Sequence, residues 1–157
     1  MSVELRVGDL FGQGDVQAIG HGVNVDGVMG AGVAAVFKKK FPESHEDYVL
    51  ACDNGELNPG YVHVFQEGDV LTLNIASQDR PGSNADLHWV REGLQNACEV
   101  SLNHGLTSFA IPQIGCGIGG LKWEDVYEVA KSVSEEYGVV IVVVALNRDD
   151  FLPVEVD

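Results

Sequence analysis

Basic residues are scarce in this chain: 9 Lys and Arg stand against 24 Asp and Glu, a formal net charge of −15. Such a surface repels nucleic acid at long range, so direct nucleic-acid binding is not expected. An anionic ligand would have to be held by backbone amides. The one basic cluster, Lys38, Lys39 and Lys40, closes a helical pattern, where cations complement the macrodipole. Cysteine is scarce too. Cys52, Cys98 and Cys116 are odd in number and scattered, which argues against a disulfide frame and fits reduced thiols in the cytoplasm. No apolar run approaches the roughly 20 residues of a membrane span. The longest, residues 139–146, is short and β-branched, the mark of a strand buried on both faces. Met1 to Glu4 lacks the layout of a signal peptide. His and Cys show no zinc-ligand spacing, and neither a metal nor a cofactor is expected.

Glycine is what the chain has in quantity, 19 residues, and two loops concentrate it. One follows the apolar run Phe109-Ala110-Ile111 and reads Pro112-Gln113-Ile114-Gly115-Cys116-Gly117-Ile118-Gly119-Gly120 before a helical pattern opens at Trp123. The other follows Ala18-Ile19-Gly20. It runs from His21 through Asn24, Asp26, Met29, Gly30, Ala31 and Gly32 into a helix beginning at Val33. Glycine-rich turns between a strand and a helix let N–H groups converge on an anion without a Cβ in the way. The spacing fits neither the Walker pattern nor the dinucleotide fingerprint. In an open α/β sheet, loops at the carboxyl ends of strands line one crevice. Two such loops suit a diphosphate with a sugar on each side.

The 157 residues, 45% of them apolar, are the size of one domain, residues 1–157. Strands are expected at 3–7, 17–23, 61–66, 70–75, 108–111 and 139–146. Helices are expected at 33–41, closed by Pro42, at 43–53, at 86–103 and from Trp123 to Gly138. Residues 61–75 read as a hairpin turning at Glu67-Gly68-Asp69. Strands otherwise alternate with helices, which implies a mixed sheet between two helical layers.

With these motifs in place, the chain resembles a macro domain, the ADP-ribose-binding α/β module. The resemblance rests on Gly8-Asp9-Leu10, on the loop Asn24 to Gly32, on Phe37-Lys38-Lys39-Lys40-Phe41-Pro42, and on Pro112-Gln113-Ile114-Gly115-Cys116-Gly117. It is strongest to the branch holding the terminal ADP-ribose glycohydrolase, the antitoxins that remove ADP-ribose from DNA, and the ADP-ribose 1″-phosphate phosphatases. It implies an α/β/α sandwich on a mostly parallel six-stranded sheet. It also implies that Asp9, next to Leu10, accepts a hydrogen bond from the adenine amino group. Asn24 is placed beside the distal ribose, with Met29, Gly30, Ala31, Gly32 and Val33 around the diphosphate. Ile114, Gly115, Cys116, Gly117, Ile118 and Gly119 form the phosphate loop.

His21, Asn24 and Asp26 are the catalytic candidates. His21 is the acid–base candidate with a pKa near neutrality, though a strand histidine also serves as a hydrogen-bonded core residue. Asn24 and Asp26 are also ordinary turn residues. Cys116 reads as packing, because no Arg follows it as a cysteine phosphatase would require. His45, His63, His88 and His104 read as isolated, solvated or structural. The chain departs from the glycohydrolases at two points. Ser77 or Gln78 stands where they carry a Lys, and Gly119 where the terminal glycohydrolase has an Asp. A lysine-adduct mechanism is therefore not expected, and Arg80, always protonated, is a poor substitute. Three functions fit: hydrolysis of ADP-ribose derivatives by a cytoplasmic monomer, binding of ADP-ribose without turnover, or nucleotide-binding regulation without an ADP-ribose preference.

Overall fold

A computed structural model describes residues 3–156; Met1, Ser2 and Asp157, the ends of the expected domain, lie outside the described residues. The strands are β1 (Val3–Val7), β2 (Ala18–Val23), β3 (Val62–Glu67), β4 (Val70–Ala76), β5 (Ser108–Ile111) and β6 (Val140–Ala145). They form one sheet in the order β1-β6-β5-β2-β4-β3. Every pairing is parallel except the β3–β4 hairpin. The carboxyl ends of five strands therefore share one edge of the sheet, with β3 running the other way.

The helices α1 (Gly32–Lys40) and α2 (Pro42–Asp53) cover one face, and α3 (Leu87–Asn103) and α4 (Trp123–Tyr137) the other. Alternation along the strands sorts the core. Ile141 and Val143 of β6 pack under α3 and α4, while Val142 and Val144 point to the α1 side. In β4, Leu71, Leu73 and Ile75 join the α3–α4 core. Thr72 and Asn74 face the opposite way, completely buried. The phase of β2 puts Ile19, His21 and Val23 on the α1–α2 face. On the other face, Gly20 is needed because a Cβ there would meet the Leu73 carbonyl at 3.0 Å.

Element ends differ from the sequence expectation in an instructive way. Pro42 opens α2 rather than closing α1, and Phe41 caps both helices. Proline lacks the N–H that the first helical position would leave unpaired, so the two helices abut without a linker. Asp86 precedes α3 as its N-cap, accepting from the His88 amide at 2.8 Å. Two short 3₁₀ turns, Leu10–Gly12 and Arg148–Phe151, were not foreseen.

Candidate functional site

The shared carboxyl edge opens into a cleft of about 820 Å³, within the range of small-molecule sites. The loop after β2 forms one wall and the loop after β5 the other. They approach closely: a Cβ built at Gly32 would lie 3.9 Å from Ile118 Cδ1. The N-terminus of α1 opens on this cleft. Its N-cap, Ala31, offers no side-chain hydrogen bond, so the first-turn amides of α1 are left for a ligand. Across the cleft, the amides of Gly117, Ile118 and Gly119 meet no protein acceptor among the described residues. The second loop is folded by its own backbone, through Cys116 N to Gln113 O at 3.2 Å and Leu121 N to Gly115 O at 2.9 Å. Gly115 takes φ +77°, which favours glycine.

Most of the expected ligand-binding residues line this cleft: Asp9, Leu10, Asn24, Gly30, Ala31, Gly32, Val33, and the run from Ile114 to Gly119. Two expected site residues do not. Met29 is buried against Val23, Tyr48 and Leu57, because a long apolar side chain gains more from that core than from the cleft. Asp26 is exposed on the outer side of its turn and does not line the cleft.

Asn24 lines the cleft, but its side chain is engaged in holding the loop. Its Oδ1 accepts from the amides of Asp26 at 3.0 Å and Val28 at 3.3 Å, and from the Tyr48 hydroxyl at 3.1 Å. Its Nδ2 donates to Val28 O at 2.8 Å. Asp9 caps the turn Leu10–Gly12, with Oδ1 accepting from Phe11 N at 3.0 Å. Its Oδ2 accepts no hydrogen bond among the described residues, and Asp9 lines the cleft together with Phe11, Val144 and Leu146.

His21 departs most from expectation. It lines the cleft yet is 1% exposed, and its ring stacks on Phe37 at 3.7 Å. Burial lowers its pKa from the ordinary 6.5 to about 4, against a smaller opposing effect of its hydrogen bond to Asn74. The imidazole is therefore neutral at physiological pH, and the expectation of a pKa near neutrality does not hold. His21, Asn74 and His63 stand directly beside one another across β2, β4 and β3. His21 Nε2 lies 2.6 Å from Asn74 Oδ1, and Asn74 Nδ2 lies 2.9 Å from His63 Nδ1. His63, read from sequence as isolated, is thus part of a buried polar row.

The Cys116 thiol is half-buried, and burial with the nearby Glu124 charge pushes its pKa up to about 12, so it is no nucleophile at neutral pH. Ser77 is buried, and Gln78 donates through Nε2 to Arg80 O at 2.8 Å. Arg80 points to solvent beside Asp79 and does not line the cleft. A Cβ at Gly119 would come 2.6 Å from Gly115 O and 2.8 Å from Ala85 Cβ, so this backbone has no room for a carboxylate there. Phe11, Lys40 and Gln113 also line the cleft, although none is among the expected ligand-binding residues and Lys40 is expected only as a helix-end cation. The Lys40 ammonium lies 5.4 Å from the Phe11 ring centroid.

Comparison with known proteins agrees with this geometry. The family model for the macro domain matches residues 21–130. The DNA ADP-ribosyl glycohydrolase of Mycobacterium tuberculosis is 34% identical over 123 residues, 76% of this chain and 35% of that protein. The chain thus spans about a third of that relative's length. The ADP-ribose glycohydrolase of Bos taurus is 30% identical over 139 residues, 88% of each chain. Among solved structures, the macrodomain of Mycobacterium tuberculosis DarG superposes with a TM-score of 0.82 at 31% identity, covering 90% of this chain and 96% of that one.

Proposed function

The chain belongs to the macro-domain family, and from that membership we propose that it binds ADP-ribose and hydrolyses ADP-ribose derivatives at the distal ribose. The substrate classes are ADP-ribose 1″-phosphate, O-acetyl-ADP-ribose and ADP-ribosylated macromolecules. One observation carries the reading: two amide-lined loops face each other across one cleft, in a chain whose net charge of −15 would otherwise repel a diphosphate. The first-turn amides of α1 and those of Gly117 to Gly119 would receive the diphosphate oxygens. Asp9 Oδ2 would accept from the adenine amino group, which selects adenine over guanine.

Hydrolysis would proceed by positioning, without a protein nucleophile. Ser77 and Gln78 form no lysyl-type adduct, and the Cys116 thiol stays protonated. Holding the ester or glycosidic carbon against a water in a fixed geometry is itself a large part of such a barrier. The working unit would be a cytoplasmic monomer, in keeping with three free cysteines among the described residues.

Calorimetry with ADP-ribose is expected to show micromolar affinity, about −8 kcal/mol. Incubation with ADP-ribose 1″-phosphate and with glutamyl-, aspartyl- and DNA-linked ADP-ribose is expected to release ADP-ribose. Borohydride should trap no covalent adduct. No saturation at millimolar ADP-ribose by folded protein defeats the reading. The departures at Ser77, Gln78 and Gly119 favour a second reading, a module that holds ADP-ribose without turnover. Tight binding with no product from any of these substrates would establish it.

A further inference from the structure

The polar row beneath the cleft has two ends, and both can only accept. At one end, the half-exposed Asp47 carboxylate of α2 lies 2.7 Å from His63 Nε2. A carboxylate accepts, so His63 Nε2 carries the proton, and in a neutral ring its Nδ1 is then a lone pair. At the other end, Phe65 O accepts from the Thr72 hydroxyl at 2.9 Å. Ser44 Oγ lies 2.6 Å from Thr72 Oγ1 and receives Asn74 Nδ2 at 3.2 Å. The Thr72 hydroxyl proton is committed to Phe65, so Ser44 donates to Thr72 and accepts from Asn74. Both ends demand that Asn74 turn its NH₂ toward His63 and Ser44. Its carbonyl oxygen must then face His21, which answers with Nε2–H. The remaining ring nitrogen, His21 Nδ1, is buried, unprotonated and without a hydrogen-bond partner among the described residues.

We propose that this network is a positioning device for the cleft: Asp47, His63, Thr72 and Ser44, acting through Asn74, hold His21 as the Nε2–H tautomer so that its Nδ1 accepts a hydrogen bond from a sugar hydroxyl of the bound ligand. The chemistry selects the partner. Diphosphate oxygens carry no proton at neutral pH and would be repelled by a lone pair, whereas a ribose hydroxyl can donate. The network thus sorts sugar from phosphate at the floor of the cleft, while the loop amides take the phosphate. Burial keeps the imidazole neutral, so the hydrogen bond holds the sugar in place and moves no proton.

The inference rests on the ADP-ribose reading only for the identity of the sugar. Imidazole nitrogen NMR on the full chain separates the two. In ligand-free protein at neutral pH, His21 should show a protonated Nε2 and a bare Nδ1; a protonated Nδ1 overturns the proposal, whatever the ligand. Saturating ADP-ribose should shift the Nδ1 signal, and an unmoved signal at saturation overturns the sugar contact. Failure of ADP-ribose to bind at all defeats the functional reading and leaves the tautomer result standing on its own. The double variant Asp47→Ala with Thr72→Val removes the acceptor at one end and the link at the other. It should mix the two His21 tautomers and weaken ADP-ribose about three- to ten-fold, the scale of one net hydrogen bond. The conservative pair Asp47→Glu with Thr72→Ser keeps an acceptor-only carboxylate and a hydroxyl and should restore both readouts. A double Ala/Val variant with an unmixed Nε2–H His21, or a conservative pair that behaves like it, overturns the positioning role.

Discussion

The two glycine loops that face each other across the cleft are built by different means. The loop after β2 is fastened by side chains: Asn24 gathers the amides of Asp26 and Val28, and Tyr48, itself buried, donates to both Asn24 O and Asn24 Oδ1. The loop after β5 is held mainly by its backbone, by Gly115 in a left-handed turn and by the tight packing of Gly119, with two side-chain bonds at its margins, Ser83 Oγ to Ile118 O at 3.2 Å and Gln113 Nε2 to Asp150 O at 2.7 Å. A backbone-held loop breaks when a Cβ is added, and a side-chain-held loop breaks when a polar group is removed.

The largest effect is expected from adding atoms to the second loop. Gly119→Ala forces a Cβ against the Gly115 carbonyl and Ala85. It should cost about 3 kcal/mol of stability by overpacking and abolish ADP-ribose binding. Gly117→Val is its control, because a Cβ at Gly117 meets nothing within 4 Å. That variant should keep the wild-type melting temperature and still lose binding, since its side chain would enter the cleft. Equal melting temperatures for the two variants would break the contrast.

Acid should act next, at the root of the first loop. His21 has its pKa lowered from 6.5 to about 4. Above pH 6.5 the ring is neutral folded and unfolded, so its contribution is constant. Between pH 6.5 and 4 the unfolded chain takes up a proton that the folded chain refuses. Stability therefore falls as pH drops through that window, by about 3 kcal/mol in all. His21→Gln keeps an N–H for Asn74 and does not titrate. Its denaturation midpoint should fall less steeply across the window; parallel pH profiles for the two proteins would show that His21 is not the titrating group.

The two modes of construction also explain what could be read in advance. Glycine spacing reports backbone conformation, so both loops, the cleft they line and the alternation of strands and helices were visible along the chain. Asp26 and Met29 lie off the cleft lining because a turn residue's direction depends on which side of the loop the core lies, and α2 supplies that core. His63 was missed for another reason. It meets Asn74 and His21 only because β2, β4 and β3 are neighbours in register, and no local spacing encodes a row across three strands. The available signal was weak: a histidine at an inward position of a hairpin strand, opposite an asparagine that interrupts the apolar run Leu71 to Ile75.

Removing polar groups from the first loop should have a middling effect. Tyr48→Phe leaves Asn24 without its hydroxyl donor and should cost about 1 kcal/mol. Asn24→Ala strands the amides of Asp26 and Val28, while the Tyr48 hydroxyl keeps the backbone carbonyl of residue 24, and should cost about 2–3 kcal/mol. Both should weaken ADP-ribose by loosening the amides of Gly30 to Gly32. Hydrogen exchange should rise across residues 24–32 and stay unchanged across 112–120. Equal loosening of both loops would mean that they form one cooperative unit, and the contrast between them would fail.

The smallest effect is expected where a side chain of the second loop is altered without adding bulk. The Cys116 thiol sits in the phosphate loop, and its Sγ lies 3.6 Å from Ile114 O, a weak contact. The hydrogen bonds that shape the loop are made by the Cys116 amide and its neighbours, and every amide survives Cys116→Ser. With the thiol pKa pushed up to about 12, almost no thiolate exists at neutral pH to act on a substrate or a labelling reagent. Cys116→Ser should therefore change ADP-ribose affinity and any turnover by less than about two-fold, since surplus side-chain changes away from packing faults cost within roughly 0.5 kcal/mol. Iodoacetamide at pH 7 should label Cys116 slowly. Rapid labelling with loss of turnover, matched by loss of turnover in Cys116→Ser, would give the thiol a part in the chemistry, and the second loop could no longer be described as working through its backbone alone.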